Sequence, residues 1–236
     1  MFQQIIVITG GNTGLGFHAA EDFARRGAGS VILACRSTDR GNEAAVKIRE
    51  TTGFQNIEVL QLDLANLENV RNFSQTLKEK YSSIDCLVCN AGVWFPMDQN
   101  AKTEDNLEIN TGVNHLGHFL LTNLLISNLK RVVFVSSGLM MSGKIDMDDS
   151  RQFIDGRKPK EGEKVPKHAP IGYCDSKLMN AVFARELAER HQVKKKYWVA
   201  DHVRLGKISM INWDLYAYFW QPQSISQFIF SLQIHF

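Results

Sequence analysis

Apolar residues along the chain fall into two alternating patterns. Short continuous runs, four to six residues long, are separated by stretches in which apolar side chains return every three or four positions. A continuous run marks a strand buried on both faces, and helical periodicity between such runs marks the crossover that covers the sheet. The pattern predicts strands over residues 5–9, 31–35, 57–62, 84–89 and 131–136, with helices beginning near Leu15, Gly41, Asn66 and Asp105. Joined by right-handed crossovers, five such strands form an open parallel sheet of the doubly wound α/β, Rossmann type, in a single domain. Ligands of these sheets sit beyond the carboxyl ends of the strands.

Two later stretches depart from this rhythm. Residues 142–170 are rich in Asp, Lys, Gly and Pro and predict a surface loop beside the site. A helix follows over residues 173–191, with Leu178, Val182, Phe183 and Leu187 spaced to form one apolar stripe. From Val193 the text changes. Lys194 to Lys196 precede an aromatic segment that holds Trp198, Trp213 and Trp220, and the last acidic residue is Asp214. The chain therefore divides into a Rossmann-type domain over residues 1–192 and a divergent, aromatic-rich tail over residues 193–236.

Composition excludes some partners. A length of 236 residues with 44% apolar content supports one sizeable core. The 27 basic and 25 acidic residues are interspersed and leave a net charge of +2, which is not the footprint of a nucleic-acid binder. Four cysteines without dense, regular spacing fit a reducing compartment, and the expected location is cytoplasmic. The apolar run at the N-terminus is too short for a signal-peptide core, and no run reaches bilayer-spanning length without polar interruption.

Candidate chemistry clusters at strand ends. Thr9-Gly10-Gly11-Asn12-Thr13-Gly14-Leu15-Gly16 follows a buried strand and opens a helix, where missing side chains let a pyrophosphate approach backbone N–H groups. Arg36 ends the second strand at the place where an NAD-selective protein offers a carboxylate to the ribose 2′-hydroxyl; a cation there suits the 2′-phosphate of NADP, with NAD the less favoured cofactor. Asp63 in Leu62-Asp63-Leu64 could accept a hydrogen bond from adenine or cap a turn, and spacing leaves both open. Asn90-Ala91-Gly92 closes the fourth strand with residues small enough for a ribose to lie against the backbone.

Tyr173 and Lys177 stand four apart and share a helix face, where a cation favours the phenolate and makes the tyrosine a usable acid or base. Ser136 and Ser137 end the fifth strand, and a hydroxyl there can hydrogen-bond a substrate oxygen. Cys86 and Cys89 point to opposite faces of a strand and read as small buried hydrophobes rather than a disulfide. His115 and His118 lack a completing cluster, so they read as helix packing and no metal site is expected.

Taken together, Thr-Gly-Gly-Asn-Thr-Gly-Leu-Gly, Ala-Cys-Arg, Leu-Asp-Leu, Asn-Ala-Gly, Val113-Asn114-His115-Leu116-Gly117-His118-Phe119, Val-Ser-Ser-Gly and Tyr-Cys-Asp-Ser-Lys resemble the short-chain dehydrogenase/reductase family, and within it the retinol-dehydrogenase-like branch. The resemblance implies an NADP-dependent enzyme that interconverts a carbonyl and an alcohol. It implies Tyr173 as general acid/base, Lys177 as the residue that lowers the Tyr173 pKa and holds the nicotinamide ribose, Ser137 as substrate anchor, and Asn114 as the anchor of a water linking Lys177 to solvent. Gly10, Asn12, Thr13, Gly14, Leu15, Gly16, Arg36, Asp63, Leu64, Asn90, Ala91 and Gly92 would hold the dinucleotide. The implied partner is a small lipophilic carbonyl or alcohol, with retinoid, steroid, lipid aldehyde and xenobiotic carbonyl all open. In similar proteins the helices bearing Asn114 and Tyr173 form dimer faces, so a homodimer is among the allowed assemblies.

The family pattern stops after the second helix signal. Residues 197–203 supply at most a makeshift sixth strand, and the Pro-Gly turn, substrate lid and final edge strand have no counterpart in the text. A splice or frame change produces such a break. The second reading is therefore a non-catalytic dinucleotide-binding or interaction protein from a variant transcript.

Overall fold

The structure, a computed structural model, describes residues 4–94, 101–164, 169–190 and 197–200. Six strands form one sheet: β1 (Ile5–Thr9), β2 (Ser30–Cys35), β3 (Ile57–Gln61), β4 (Cys86–Cys89), β5 (Val132–Val135) and β6 (Tyr197–Ala200). Their order is β3-β2-β1-β4-β5-β6, and every neighbouring pair is parallel. The helices are α1 (Gly14–Arg25), α2 (Thr38–Thr52), α3 (Leu67–Lys80), the single turn α4 (Ile109–Thr111), α5 (Gly117–Leu125), the single turn α6 (Gln152–Asp155) and α7 (Ile171–Arg190). A π-helical turn, Gly112–Leu116, joins α4 to α5.

Burial on both faces explains the continuous apolar runs. Ile6, Ile8, Val31, Leu33, Cys35 and Cys86 pack on one face against Ala20 and Ala24 of α1 and Ala44, Ala45 and Ile48 of α2. The alternate residues Val7, Ile32, Ala34, Leu87 and Cys89 pack on the other face with Val70, Phe73 and Leu77 of α3, Leu121 and Leu125 of α5, and Phe183 and Leu187 of α7. Cys86 and Cys89 thus lie on opposite sides of the sheet as free, buried thiols.

Some boundaries differ from the sequence reading, for local reasons. The helix expected near Asp105 starts at Ile109, because Asn106 adopts a left-handed φ of 61° and the Glu108 carboxylate accepts from the N–H groups of Asn110 (3.0 Å) and Thr111 (2.7 Å). The helix expected near Gly41 starts at Thr38, capped by Ser37. α7 begins two residues before Tyr173, and His191, its expected end, lies outside the described residues. α7 carries no simple apolar stripe. Leu178 and Val182 are only partly buried, while Asp175, Lys177 and Asn180 are among its most buried positions.

β6 falls within the stretch marked as a makeshift strand and pairs Val132 with Tyr197 through Val135 with Ala200. The sheet therefore continues past residue 193. Lys194 to Lys196, Trp213, Trp220 and the rest of the tail lie outside the described residues. Among the described residues no helix is long and apolar enough to cross a membrane.

Candidate active site

A cleft of about 470 Å³ opens at the carboxyl ends of β1, β2, β3 and β4. It gathers Gly10, Asn12, Thr13 and Leu15 from the turn after β1, Arg36 from the end of β2, Asp63 and Leu64 from the end of β3, and Asn90, Ala91 and Gly92 from the end of β4. Ten of the residues expected from sequence to hold a dinucleotide thus line one space. Gly14 instead borders an adjoining groove between α1 and α2.

Glycine is required here by geometry at two positions. Gly10 has a φ of +65°, and a Cβ on Gly16 would run into the Gly10 carbonyl and the Asn90 amide. The Asn90 side chain props the turn from beneath, donating to the Thr9 carbonyl at 2.9 Å. Thr13, Gly14 and Leu15 stay exposed at the start of α1, where no side chain caps the first N–H groups.

Asp63 makes the turn bond that spacing allowed and also lines the cleft. Its Oδ1 accepts from Ala65 N–H at 2.9 Å, a turn bond, while the residue borders the cleft. Asn66, not Asp63, caps α3 through Asn69 N–H at 2.7 Å. Arg40, which the sequence reading passed over, joins Arg36 at the cleft. Its signal was available: it follows Arg36 by one helical turn, on a helix whose cap, Ser37, accepts from the Arg40 N–H.

Asn114 and Lys177 stand behind Gly92. A Cβ there would lie 3.3 Å from Asn114 Oδ1 and 3.5 Å from Lys177 Nζ, so the missing side chain joins the cleft to the second half of the site. Tyr173, half-buried on α7, interacts with the Ser137 hydroxyl. Ser136 is turned away and donates to the Lys177 main-chain carbonyl at 2.8 Å, which leaves Ser137 as the serine that faces the phenol.

Electrostatics correct one expectation. Burial raises the Tyr173 phenol above its ordinary value, and the Ser137 hydrogen bond only partly opposes this. Lys177, whose Nζ donates to the Val135 carbonyl at 3.0 Å and sits 5.4 Å from the Tyr173 ring centroid, does not offset that burial. Burial brings the Lys177 ammonium itself down to about 8.

Asn114 holds a junction of the site together. Its Oδ1 accepts from Val93 N–H at 2.7 Å, and its Nδ2 donates to Val93 O at 3.0 Å and Ser176 Oγ at 3.1 Å. Its main-chain carbonyl accepts from Asn180 Nδ2 at 3.0 Å and contacts His118 Nδ1 at 3.1 Å. Through these bonds Asn114 clamps the strand end after β4 to the π-turn and α7.

Besides Arg40, three features were missed in the sequence. Trp94, which is 40% exposed, packs on Tyr173 with ring centroids 4.5 Å apart. The region expected as a plain surface loop holds Arg157, buried between Glu163 and Asp175 of α7. His115 and His118 pack inside the helices as expected, but both are tied into hydrogen bonds, and burial brings each down to about 4. Among the described residues no cluster could hold a metal ion.

A glycine-lined turn after the first strand of a sheet ordered 3-2-1-4-5-6 defines the dinucleotide-fold class. The family model for the short chain dehydrogenase matches residues 4–147, more than half of the chain, and the chain belongs to that family. It is similar to retinol dehydrogenase 11 of Homo sapiens, with 40% identity over 192 residues that cover 79% of this chain and 56% of the relative. Retinol dehydrogenase 12 of Mus musculus is 41% identical over 234 residues, covering 94% of this chain and 70% of the relative. The chain thus spans little more than half the length of the first relative. Among solved structures, a short chain dehydrogenase from Escherichia coli CFT073 complexed with NADPH matches with a TM-score of 0.61 at 26% identity, over 84% of this chain and 75% of that one.

Proposed function

We propose that this chain is an NADP(H)-dependent oxidoreductase that interconverts a carbonyl and an alcohol, with Tyr173 as the general acid/base. The observation that carries the reading is the meeting of Ser137 and Tyr173, with Lys177 beside the ring, behind a glycine that opens onto the cleft of the turn after β1.

The cleft fits a dinucleotide because side chains are missing where a pyrophosphate would lie. Gly10, Asn12, Thr13, Gly14, Leu15 and Gly16 would hold the phosphates, Arg36 and Arg40 the 2′-phosphate, Asp63 and Leu64 the adenine, and Asn90, Ala91 and Gly92 the ribose and the approach to the nicotinamide. When bound, the dinucleotide supplies or accepts a hydride at the substrate carbon.

The protein's own residues handle the proton. With its pKa raised, Tyr173 remains a phenol at neutral pH and suits donation to a carbonyl oxygen, the reducing direction. Ser137 holds that oxygen beside the phenol, and Lys177, charged below about 8, stabilises the phenolate left behind. Exposed Trp94 on the Tyr173 ring and exposed Met141 on the turn after Ser137 supply apolar surface, which supports a lipophilic substrate.

Titration of NADPH fluorescence against the purified chain, paired with a carbonyl-reduction assay, tests the reading. Binding of NADPH and turnover that falls by about a hundredfold or more in Tyr173→Phe is the expected result. NADPH binding without Tyr173-dependent turnover would refute the enzymatic assignment.

A further inference from the structure

His118 is fully buried between the cleft and α7 and makes two hydrogen bonds, to Thr9 Oγ1 at 2.9 Å through Nε2 and to the Asn114 main-chain oxygen at 3.1 Å through Nδ1. Two independent constraints fix their directions. A carbonyl oxygen can only accept, so Nδ1 carries the ring proton and Nε2 of the neutral ring is bare. Thr9 gives the same answer from the other end. Its Oγ1 accepts from Asn90 N–H at 3.0 Å and Ala91 N–H at 2.9 Å, which fills both lone pairs and leaves its single proton to give away. The Val88 carbonyl lies at 3.4 Å and His118 Nε2 at 2.9 Å, so the shorter contact takes the proton.

The result is a directed line. Asn90 and Ala91 N–H donate to the Thr9 hydroxyl, Thr9 to His118, and His118 to the Asn114 carbonyl. From the opposite side His115 Nδ1 donates to Asn180 Oδ1 at 3.0 Å, and Asn180 Nδ2 donates to the same Asn114 oxygen at 3.0 Å. Asn180 lies on α7 one turn beyond Lys177. Every member is buried or part-buried, and no buried side-chain polar atom among the described residues lacks a partner. The charged and titratable groups that bear on His118, Lys177 of α7 and His115 of the π-turn, both oppose a second ring proton, as does burial.

We infer that His118, as the neutral Nδ1–H tautomer, is a positioning residue that fixes the cleft-lining strand end at Asn90 and Ala91 in register with the helix carrying Tyr173 and Lys177. The inference rests on the dinucleotide reading of the cleft. It goes beyond that reading in giving this buried histidine a part in the geometry of the reaction rather than in packing alone.

The test is ¹⁵N NMR of the full chain labelled at histidine, with and without NADPH, on the parent, Thr9→Ser and Thr9→Val. In the free protein His118 shows a protonated Nδ1 and a bare Nε2, an outcome independent of activity. Saturating NADPH moves the Nε2 resonance in the parent and in Thr9→Ser, and Thr9→Val loses that response. In the carbonyl-reduction assay Thr9→Val lowers kcat by about tenfold or more with a smaller change in the NADPH KM, and Thr9→Ser restores it. A residue that only packs would lower the melting temperature and leave the kcat of folded protein in place. An Nε2–H tautomer in the free protein overturns the inference, as does an Nε2 resonance unmoved by NADPH that fluorescence shows to be bound. If Thr9→Val does not fold, the tautomer and the NADPH response of the parent and Thr9→Ser still decide. Absence of NADPH binding overturns the positioning role together with the cofactor reading, while the expected tautomer still appears in the free spectrum.

Discussion

Replacing Arg157 by methionine tests whether the segment before α7 is held by charge. The guanidinium donates to both Glu163 carboxylate oxygens at 2.9 and 3.0 Å and, through Nε, to Asp175 at 3.0 Å. The three side chains are only 6%, 4% and 3% exposed. Removing one partner of a buried pair costs about 3–5 kcal/mol, because the abandoned charge has nowhere to go. Lys144 Nζ remains 3.5 Å from Glu163 and Lys144 N–H remains 2.7 Å from Asp175, so the low end, about 3 kcal/mol, applies. For a chain of this size that corresponds to a fall of about 6–12 °C in melting temperature. The pH dependence has a definite sign. Burial holds Asp175 above the ordinary carboxylate range even beside Arg157, so its contribution is present below the unfolded value and lost as pH rises through the raised one. Without Arg157 the loss deepens, and Glu163 loses the partner that helps hold it low, so the deficit is smaller near pH 4 than near pH 7. Thermal melts by circular dichroism at both pH values measure it, and Arg157→Met combined with Asp175→Asn should recover part of the loss. A single variant that melts within about 2 °C of the parent at pH 7 would show that the network contributes nothing of the expected size.

Three further outcomes follow from the site. Lys177 is lowered to about 8 by burial, so the folded protein holds fewer protons than the unfolded chain between about pH 8 and 10.4, and stability rises with pH across that window; urea titrations should show the rise in the parent and its loss in Lys177→Met. Arg36→Ala with Arg40→Ala should weaken NADPH binding about tenfold or more while leaving NADH affinity nearly unchanged, as read by cofactor fluorescence. Gly16→Ala forces a Cβ against the Gly10 carbonyl and the Asn90 amide, so it should cost about 1–3 kcal/mol in urea unfolding and weaken NADPH binding at the same time.

What could be read from sequence follows the range of the interactions involved. β1 and β2 were legible because burial on both sides leaves a continuous apolar run, and the turn after β1 because its steric demands are local. Strand ends were less so. Ser136 was read as strand, but its hydroxyl leaves for the Lys177 carbonyl across 41 positions. The start of the helix after Asp105 depended on the Glu108 carboxylate, and the side-chain bonds that choose between Asp105 and Glu108 are invisible to periodicity. Spacing put Tyr173 and Lys177 on one helix face but could show neither the bond of the ammonium to Val135 nor the burial that raises the phenol. The Arg157 network and the Trp94 contact with Tyr173 join residues 18 and 79 positions apart or nearby in space only through the fold, and no local pattern announces them.

The enzymatic and the non-catalytic readings place different values on Lys177. A side chain 4% exposed whose ammonium is brought down to about 8 by burial weakens the folded state, and a methionine of similar reach would fill the space without that cost. A chain that served only as an interaction surface would have no use for an ammonium beside a phenol. The Ser137 hydroxyl argues the same way, since it meets Tyr173 while its neighbour Ser136 bonds the Lys177 main-chain carbonyl of α7. What had favoured the non-catalytic reading was the change of text near Val193. The sheet, however, extends beyond that point through β6, whose parallel pairing brings Ala200 beside Val135 at the edge that carries Ser136 and Ser137. The match to the mouse relative, at 94% of the chain, also reaches past residue 193. A buried ammonium beside a phenol, held at a cost in stability on a sheet that does not stop where the text changes, favours the enzymatic reading.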